Sequence, residues 1–306
     1  MAKTVTLSHA PSPATLYPKA VGAMLPVIGK PAKVSPSATV PDTVYRLENV
    51  RADQDKLQEY CRTTGCQYGA TLPLNYLFVL QFPLAMELMV DPAFPFGAVG
   101  SVHFENKIER LREIGSDEPL TIETHAENLR EHRKGLLIDV ISEFRVGREL
   151  VAVQTGTFLK QQRTSLSDEE RGPAPVAKTP PPPDRVVSVN LHLIREYAAA
   201  SGDRNPIHMA NLSAKAFGFP KAIAHGMWTA ATAVANIEAQ LPGGVVYSVR
   251  FGTPILLPAK VNLYTERTEA DGPARSAPGA RDGFAVSVLD RKKGFPHLTG
   301  TLTPRA

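Results

Sequence analysis

The chain has 306 residues, 43% of them hydrophobic and 21% charged, enough apolar material for about two buried cores and too little charge for a largely disordered chain. Its net charge of +4 and pI near 9.0 are mild, and no basic stripe concentrates them, which argues against a nucleic-acid partner while suiting acidic or phosphate-bearing ones. Cys61 and Cys66 are the two cysteines; they cannot make a four-thiolate zinc site and read as buried free thiols of a reducing cytosol, so a cytoplasmic location is expected.

Residues 1–40 form a Pro/Ala-rich N-terminal extension in which prolines interrupt the apolar pairs. No signal-type apolar core forms there, and no run long enough to span a membrane occurs anywhere. A first unit follows at 41–165. In it LQEYCRTTG (57–65) precedes LPLNYLFVLQFPLAMELMV (72–90), an apolar stretch of helical length, and then the alternating β-branched runs LTIETHAENL, GLLIDVISEF and ELVAVQTGTFL. Between two of these runs, ENLREHRKG (127–135) reads as a charged hairpin connection, with a solvated loop as its simplest role. Residues 166–185 form a linker whose four prolines, Pro180 to Pro183, favour extended polyproline II and make a stiff strap; a docking site for a partner is the alternative. A second unit, 186–306, repeats the order: IREYAAASG (194–202), the apolar stretch IAHGMWTAATAVANIEAQL (223–241), and the strand runs AKVNLYTE and FAVSVLD.

The two units are copies of one design. LQEYCRTTG answers IREYAAASG, and SVHF (101–104) answers SVRF (248–251). Each copy is expected to be a helix wrapped by a curved antiparallel sheet, an α+β arrangement. Tyr60 and Tyr197 recur in both copies and therefore read as core.

In SGDRNPIH (201–208) an acid and a histidine stand five positions apart, with the turn formers Gly202, Asn205 and Pro206 around them. By itself this fits a surface turn as well as a site. Residues 197–229, YAAASGDRNPIHMANLSAKAFGFPKAIAHGMWT, closely resemble the signature of the MaoC-like, (R)-specific enoyl-thioester hydratases and 3-hydroxyacyl-thioester dehydratases. Over the whole chain, ENLREHRKGLLIDV, KQQRTSLS, the proline strap and GFPHLTGTL look like the double-hot-dog dehydratases of mycobacteria and related actinobacteria.

The resemblance implies a double hot dog, two long helices each wrapped by an antiparallel sheet and packed as a pseudo-dimer, with one active site in the second half. It implies reversible dehydration of (R)-3-hydroxyacyl thioesters to trans-2-enoyl thioesters in fatty-acid metabolism, on medium to long acyl chains. Addition of water across such a double bond needs one group to deprotonate water at C3, another to move a proton at C2, and a donor for the enolate-like oxygen. Asp203 and His208 supply the first two. By the resemblance the Gly226 N–H, near a helix start, supplies the third, its missing side chain letting the thioester oxygen approach. Gly202, Asn205, Pro206 and His225 shape the site, His225 by setting the helix start or satisfying a core hydrogen bond.

In the first copy the residues in register with Asp203 and His208 are Cys66 and Thr71, which cannot share that task, and Gly65 to Ser101 spans 36 residues against 46 from Gly202 to Ser248. That half is expected to be non-catalytic, and the resemblance implies that it houses the acyl tail. No redox cofactor or metal is implied, since Asp203 and His208 have no obvious third and fourth ligands. The thioester carrier is CoA or acyl carrier protein. Arg110, Arg112, Arg130, Arg133 and Lys134 are candidates for its phosphates, or else solvated charges. A homodimer is a further partner to consider. The rival functions are a hot-dog acyl-thioesterase and a non-catalytic acyl-thioester binding or scaffolding subunit.

Overall fold

The structure, a computed structural model, describes residues 3–12, 15–16, 33–97, 100–169, 176–268 and 283–305. The first half contains β1 (Lys3–Leu7), β2 (Thr43–Val50), α1 (Gln54–Thr64), α2 (Tyr76–Met89), β3 (Val102–Arg110), β4 (Leu120–His132), β5 (Gly135–Val146) and β6 (Glu149–Gln161). The second contains β7 (Arg185–Val189), α3 (Leu191–Ser201), α4 (Pro206–Met209), α5 (Asn211–Ala216), α6 (Gly226–Val234), β8 (Val245–Phe251), β9 (Ala259–Thr268), β10 (Gly283–Asp290) and β11 (Pro296–Pro304).

The repeated EY segments fold alike because their ends carry the same signals. Asp53 accepts the Lys56 N–H at the start of α1, and Asn190 accepts that of Leu193 at the start of α3. Gly65 and Gly202 then stop the two helices in the left-handed region, at φ 82° and 78°, where other residues are strained. Helix α2 is apolar and buried on most sides, and α6 is buried at Met227–Val234. Each half sets its helix against five strands, β2-β4-β5-β6-β3 in one and β8-β11-β10-β9-β7 in the other. This is the helix-in-sheet arrangement expected of a hot dog.

The halves are joined by one strand pair. β3 and β8 run antiparallel from Glu105 opposite Arg250 to Arg110 opposite Val245, which fuses the two five-stranded sets, with β1 at one margin, into one eleven-stranded sheet. Behind the seam, Tyr60 and Tyr197 face each other with ring centroids 5.8 Å apart. Trp228 Nε1–H donates to the Thr63 carbonyl at 2.8 Å, and Arg62 pairs with Glu196 at 2.8 Å. One apolar core runs through both halves, as the reading of the two tyrosines requires.

Four expectations change in detail. Of residues 223–241 only 226–234 are α-helical, because Ala224 N–H is drawn to the Ile255 carbonyl and the chain turns at Ala235 before a short 3₁₀ segment. ENLREHRKG is mostly strand: β4 continues to His132, with Asn128 at φ 60° in an irregularity, so the turn itself is Arg133–Lys134. The N-terminal extension contributes a strand, β1, parallel to β2, while residues 17–32 of it lie outside the described residues. The strap lies along the second half, where the Pro181 carbonyl accepts the Tyr264 hydroxyl and the Lys293 carbonyl accepts Lys178 N–H; its residues 170–175 also lie outside the described ones.

Separating the halves would strip β8 of β3, leaving one edge unpaired, and expose the face of α3. Residues 185–306 expressed alone should aggregate or self-associate, measured by size-exclusion chromatography with light scattering. A soluble monomer would contradict dependence on the β3–β8 seam.

Candidate active site

Most residues of SGDRNPIH have a backbone task. After Gly202 ends α3, Asp203 N–H donates to Ser201 Oγ at 3.3 Å, and Asp203 Oδ1 accepts Asn205 N–H at 3.2 Å. Asn205 Oδ1 accepts Ile207 N–H at 3.4 Å, and Pro206 opens the single-turn α4, where a missing N–H does no harm. His208 sits at the end of that turn.

The buried His208 ring donates from Nδ1 to the Ile223 carbonyl at 2.8 Å, which leaves Nε2 as the unprotonated nitrogen. Burial pushes its pKa below the usual imidazole value, against the pull of Asp203. His225 lies behind it with ring centroids 3.7 Å apart. His225 Nε2–H donates to the Asp203 carbonyl at 2.9 Å and stands 4.0 Å from Asp203 Oδ2. Burial first, and His208 second, lower its pKa to about 3, with Asp203 opposing. His225 occupies the N-cap position of α6 without a side-chain capping hydrogen bond, and its ring braces the Asp203 backbone.

Gly226 is the first residue of α6, where the leading N–H groups have no intrahelical acceptor. What its missing side chain accommodates is the Phe251 ring, because a Cβ there would fall 2.9 Å from Phe251 Cε1.

These residues line one cavity of about 520 Å³ that also takes in the first half: Phe78, Phe82, Met86 and Met89 of α2, and Phe158 of β6. Cys66 and Thr71 are not in its lining. The Cys66 thiol is buried against the Ala231 carbonyl, and burial pushes Cys61 up to about 11 and Cys66 well up, so both stay protonated. Among the described residues the first half has no counterpart of α4 and α5, which is where its shorter spacing falls.

Sequence reasoning missed His103. It lines the cavity from β3, stacked on Phe158 at 4.7 Å and near Phe251 at 4.9 Å, with burial lowering its pKa to about 4. The signal was its pairing with Arg250 in SVHF and SVRF, but a shift of register between His103 and Glu105 decides the outcome. In β8 the pattern sends Phe251 inward, whereas in β3 the bulge turns His103 inward and leaves Phe104 under the Arg250 guanidinium. Ligand-type atoms of Asp203, His208 and His225 lie within 4.8 Å of one another. His225, expected only to shape the site, thus stands as a third ligand-type group beside Asp203 and His208, although one nitrogen of each ring is already engaged by a carbonyl.

Three of the five candidate phosphate cations are committed elsewhere. Arg110 donates to the Pro242 and Gly243 carbonyls, Arg112 to Glu118 and Glu149, and Arg130 to Asp139.

Residues 174–279 match the family model described as MaoC like domain. The chain is 42% identical over 284 residues to 3-hydroxyacyl-thioester dehydratase X of Mycobacterium tuberculosis, across 93% of this chain and 95% of that one. The crystal structure of HtdX from Mycobacterium tuberculosis is similar with a TM-score of 0.73 at 40% identity, covering 86% of this chain and all of that one (100%). A MaoC-like dehydratase from Phytophthora capsici shares the fold, with a TM-score of 0.65 at 19% identity over 90% of this chain and 98% of that one.

The buried rings make stability pH-dependent with a definite sign. An unfolded chain takes up protons near pH 6.5 that the folded rings refuse until about 4 at His103 and about 3 at His225. Stability is thus full above about pH 6.5 and declines as pH falls through that window. The melting temperature should drop steadily from pH 7 to pH 4.5, with a shallower slope in His225→Gln; a flat wild-type profile would contradict neutral buried rings.

Proposed function

The chain belongs to the MaoC-like dehydratase family, and we propose that Asp203, His208 and Gly226 carry in it the reversible dehydration of (R)-3-hydroxyacyl thioesters to trans-2-enoyl thioesters. The reaction is a hydro-lyase step of fatty-acid metabolism. The observation that best supports these residues is the His208 tautomer: with Nδ1–H held by a carbonyl, Nε2 presents a lone pair in the same cavity as the Asp203 carboxylate.

In the hydration direction the water oxygen bonds to C3 while one member of the pair takes a water proton. The π electrons shift toward the thioester, and C2 receives a proton from the pair, so H and OH are added and nothing is left over. The negative charge that builds on the thioester oxygen meets the Gly226 N–H and the positive end of α6. Such a donor typically contributes about 2.7–4 kcal/mol and a proton-transfer group about 10²- to 10⁴-fold in rate. His225 holds the Asp203 backbone and stays neutral, and Gly202, Asn205 and Pro206 keep the turn in shape.

The acyl tail runs along the apolar α2 wall of the first half, which suits medium to long chains. Residues 41–165 form the tail-binding hot dog and residues 186–306 the catalytic one. Substrates are carried on CoA or acyl carrier protein, and the two protonated thiols fit a reducing cytoplasm. No helix is long and apolar enough to cross a membrane among the described residues.

Asp203→Asn and His208→Gln should each lower kcat on crotonyl-CoA by roughly 10² or more, with the double variant little worse, because the pair acts as a unit. Loss of enoyl absorbance without release of free thiol separates hydration from thioesterase action. Either single variant turning over near the wild-type rate while folded would remove that residue from the assignment.

Met86→Trp should fill the tail region. Since each buried methylene contributes about 0.8 kcal/mol, kcat/KM should fall on the order of tenfold for long enoyl thioesters and little for crotonyl-CoA. Equal losses at all chain lengths would reject the α2 wall as the tail site.

A further inference from the structure

The cavity opens at one end of the sheet, and that end is defined by the strand registers. Gly100–Val102 before and at the start of β3, Gln161 at the end of β6, Gly252 and Thr253 after β8, and His297 at the start of β11 all line the cavity. Gly252 N–H donates to the His297 carbonyl, Leu298 lies opposite Phe251, and His103 lies opposite Phe158, so these ends stand side by side. Most of this rim is exposed, while the cavity-lining residues of α2 are largely buried.

Two tight turns project at the same end. Gly135 pairs with both His132 and Gln161, which puts the β4–β5 turn, Arg133–Lys134, beside the rim on the first half. Leu289 pairs with Pro296, which puts Arg291, Lys292 and Lys293 beside it on the second half. Asp290 fixes this second turn by accepting the Lys292 and Lys293 N–H groups at 3.0 and 2.6 Å. All five cationic side chains are exposed, and none forms an ion pair among the described residues. The positive field acts on a neighbour: burial first, then Lys134, Arg133 and Arg250, lower the pKa of His132, with Glu105 opposing. The committed Arg110 and Arg112 are at the far end, eight residues along β3 from Val102 to Arg110 and so about 27 Å away.

We propose that the basic turns Arg133–Lys134 and Arg291–Lys293, one from each half, form a docking surface for an acidic acyl carrier protein that delivers the thioester through the mouth between them. The inference rests on the acyl-thioester reading of the cavity and adds the carrier. Spacing decides between carriers. Five strand spacings separate the turns in the sheet order, roughly 24 Å measured along the curve of the sheet at about 4.8 Å each. The phosphates of one CoA cluster at one place and meet one turn, whereas an acidic protein face spans both. Opposite charges flanking a mouth steer encounter and orient the partner.

The full-length charge-reversal variants R133E/K134E and K292E/K293E, and their combination, test this with crotonyl-acyl carrier protein, crotonyl-CoA and uncharged crotonyl-pantetheine. Each double variant should lower kcat/KM for the carrier-protein substrate about tenfold and the combination about a hundredfold, with raised salt shrinking the difference from wild type. Crotonyl-pantetheine should stay within about twofold, which also shows an intact fold and site. A larger loss on crotonyl-CoA than on the carrier-protein substrate would overturn the proposal in favour of a nucleotide site. No loss on any substrate, or equal losses on all three, would overturn it as well. Asp203→Asn on crotonyl-pantetheine reads the catalytic assignment separately, so the two can fail independently.

Discussion

The antiparallel pairing of β3 with β8 is the constraint on which the rest of the molecule depends. It spans six residue pairs, Glu105–Arg250 to Arg110–Val245, and it makes two helix-in-sheet units into one body with a common core. By fixing which strand ends meet, it places His103 and Phe158 of one half next to Phe251 of the other, and Phe251 against Gly226. A one-residue slip would turn every inward side chain outward. The wall of the cavity would be lost with it.

Inside that frame the imidazoles of the site are neutral. Burial outweighs the attraction of Asp203 at His103, His208 and His225 alike. For a group that must take and return a proton near neutral pH, a neutral ring with a fixed tautomer is the useful state. Carbonyl acceptors fix it at His208 and His225, and the cost appears as unfavourable protonation below pH 6.5. Among the described residues His225 Nδ1 and His103 Nε2 have no hydrogen-bond partner, so the site keeps buried polar atoms.

The two copies diverge through small changes with large consequences. The second inserts α4 and α5 between its EY helix and its central helix, and these present His208. The first goes directly from Gly65 to Asn75 through a loop carrying Cys66 and Thr71. In exchange α2 runs to Met89, fourteen residues against nine in α6, and its last two turns supply Phe82, Met86 and Met89 to the cavity. One copy keeps the polar turn and the other extends the apolar wall. Neither encloses the cavity alone.

The sequence by itself determined whatever rests on local chemistry. The repeated EY segments ending at Gly65 and Gly202 marked the paired units, alternation marked the strands, and Asp203 to His208 with its turn formers marked the catalytic candidate, because turns and periodicity act over a few neighbours. The extent of the second helix was not legible, since the competing partner of Ala224, the Ile255 carbonyl, lies 31 residues away in the chain. Nor was the fate of the arginines: Arg110 is spent on Pro242 and Gly243 across the seam, a contact that no local pattern announces. His103 and Arg250 occupy matching places in SVHF and SVRF, yet one faces the cavity and the other faces outward. That difference comes from a bulge in the pairing of β3 with β6, and register is a property of two strands that neither carries alone.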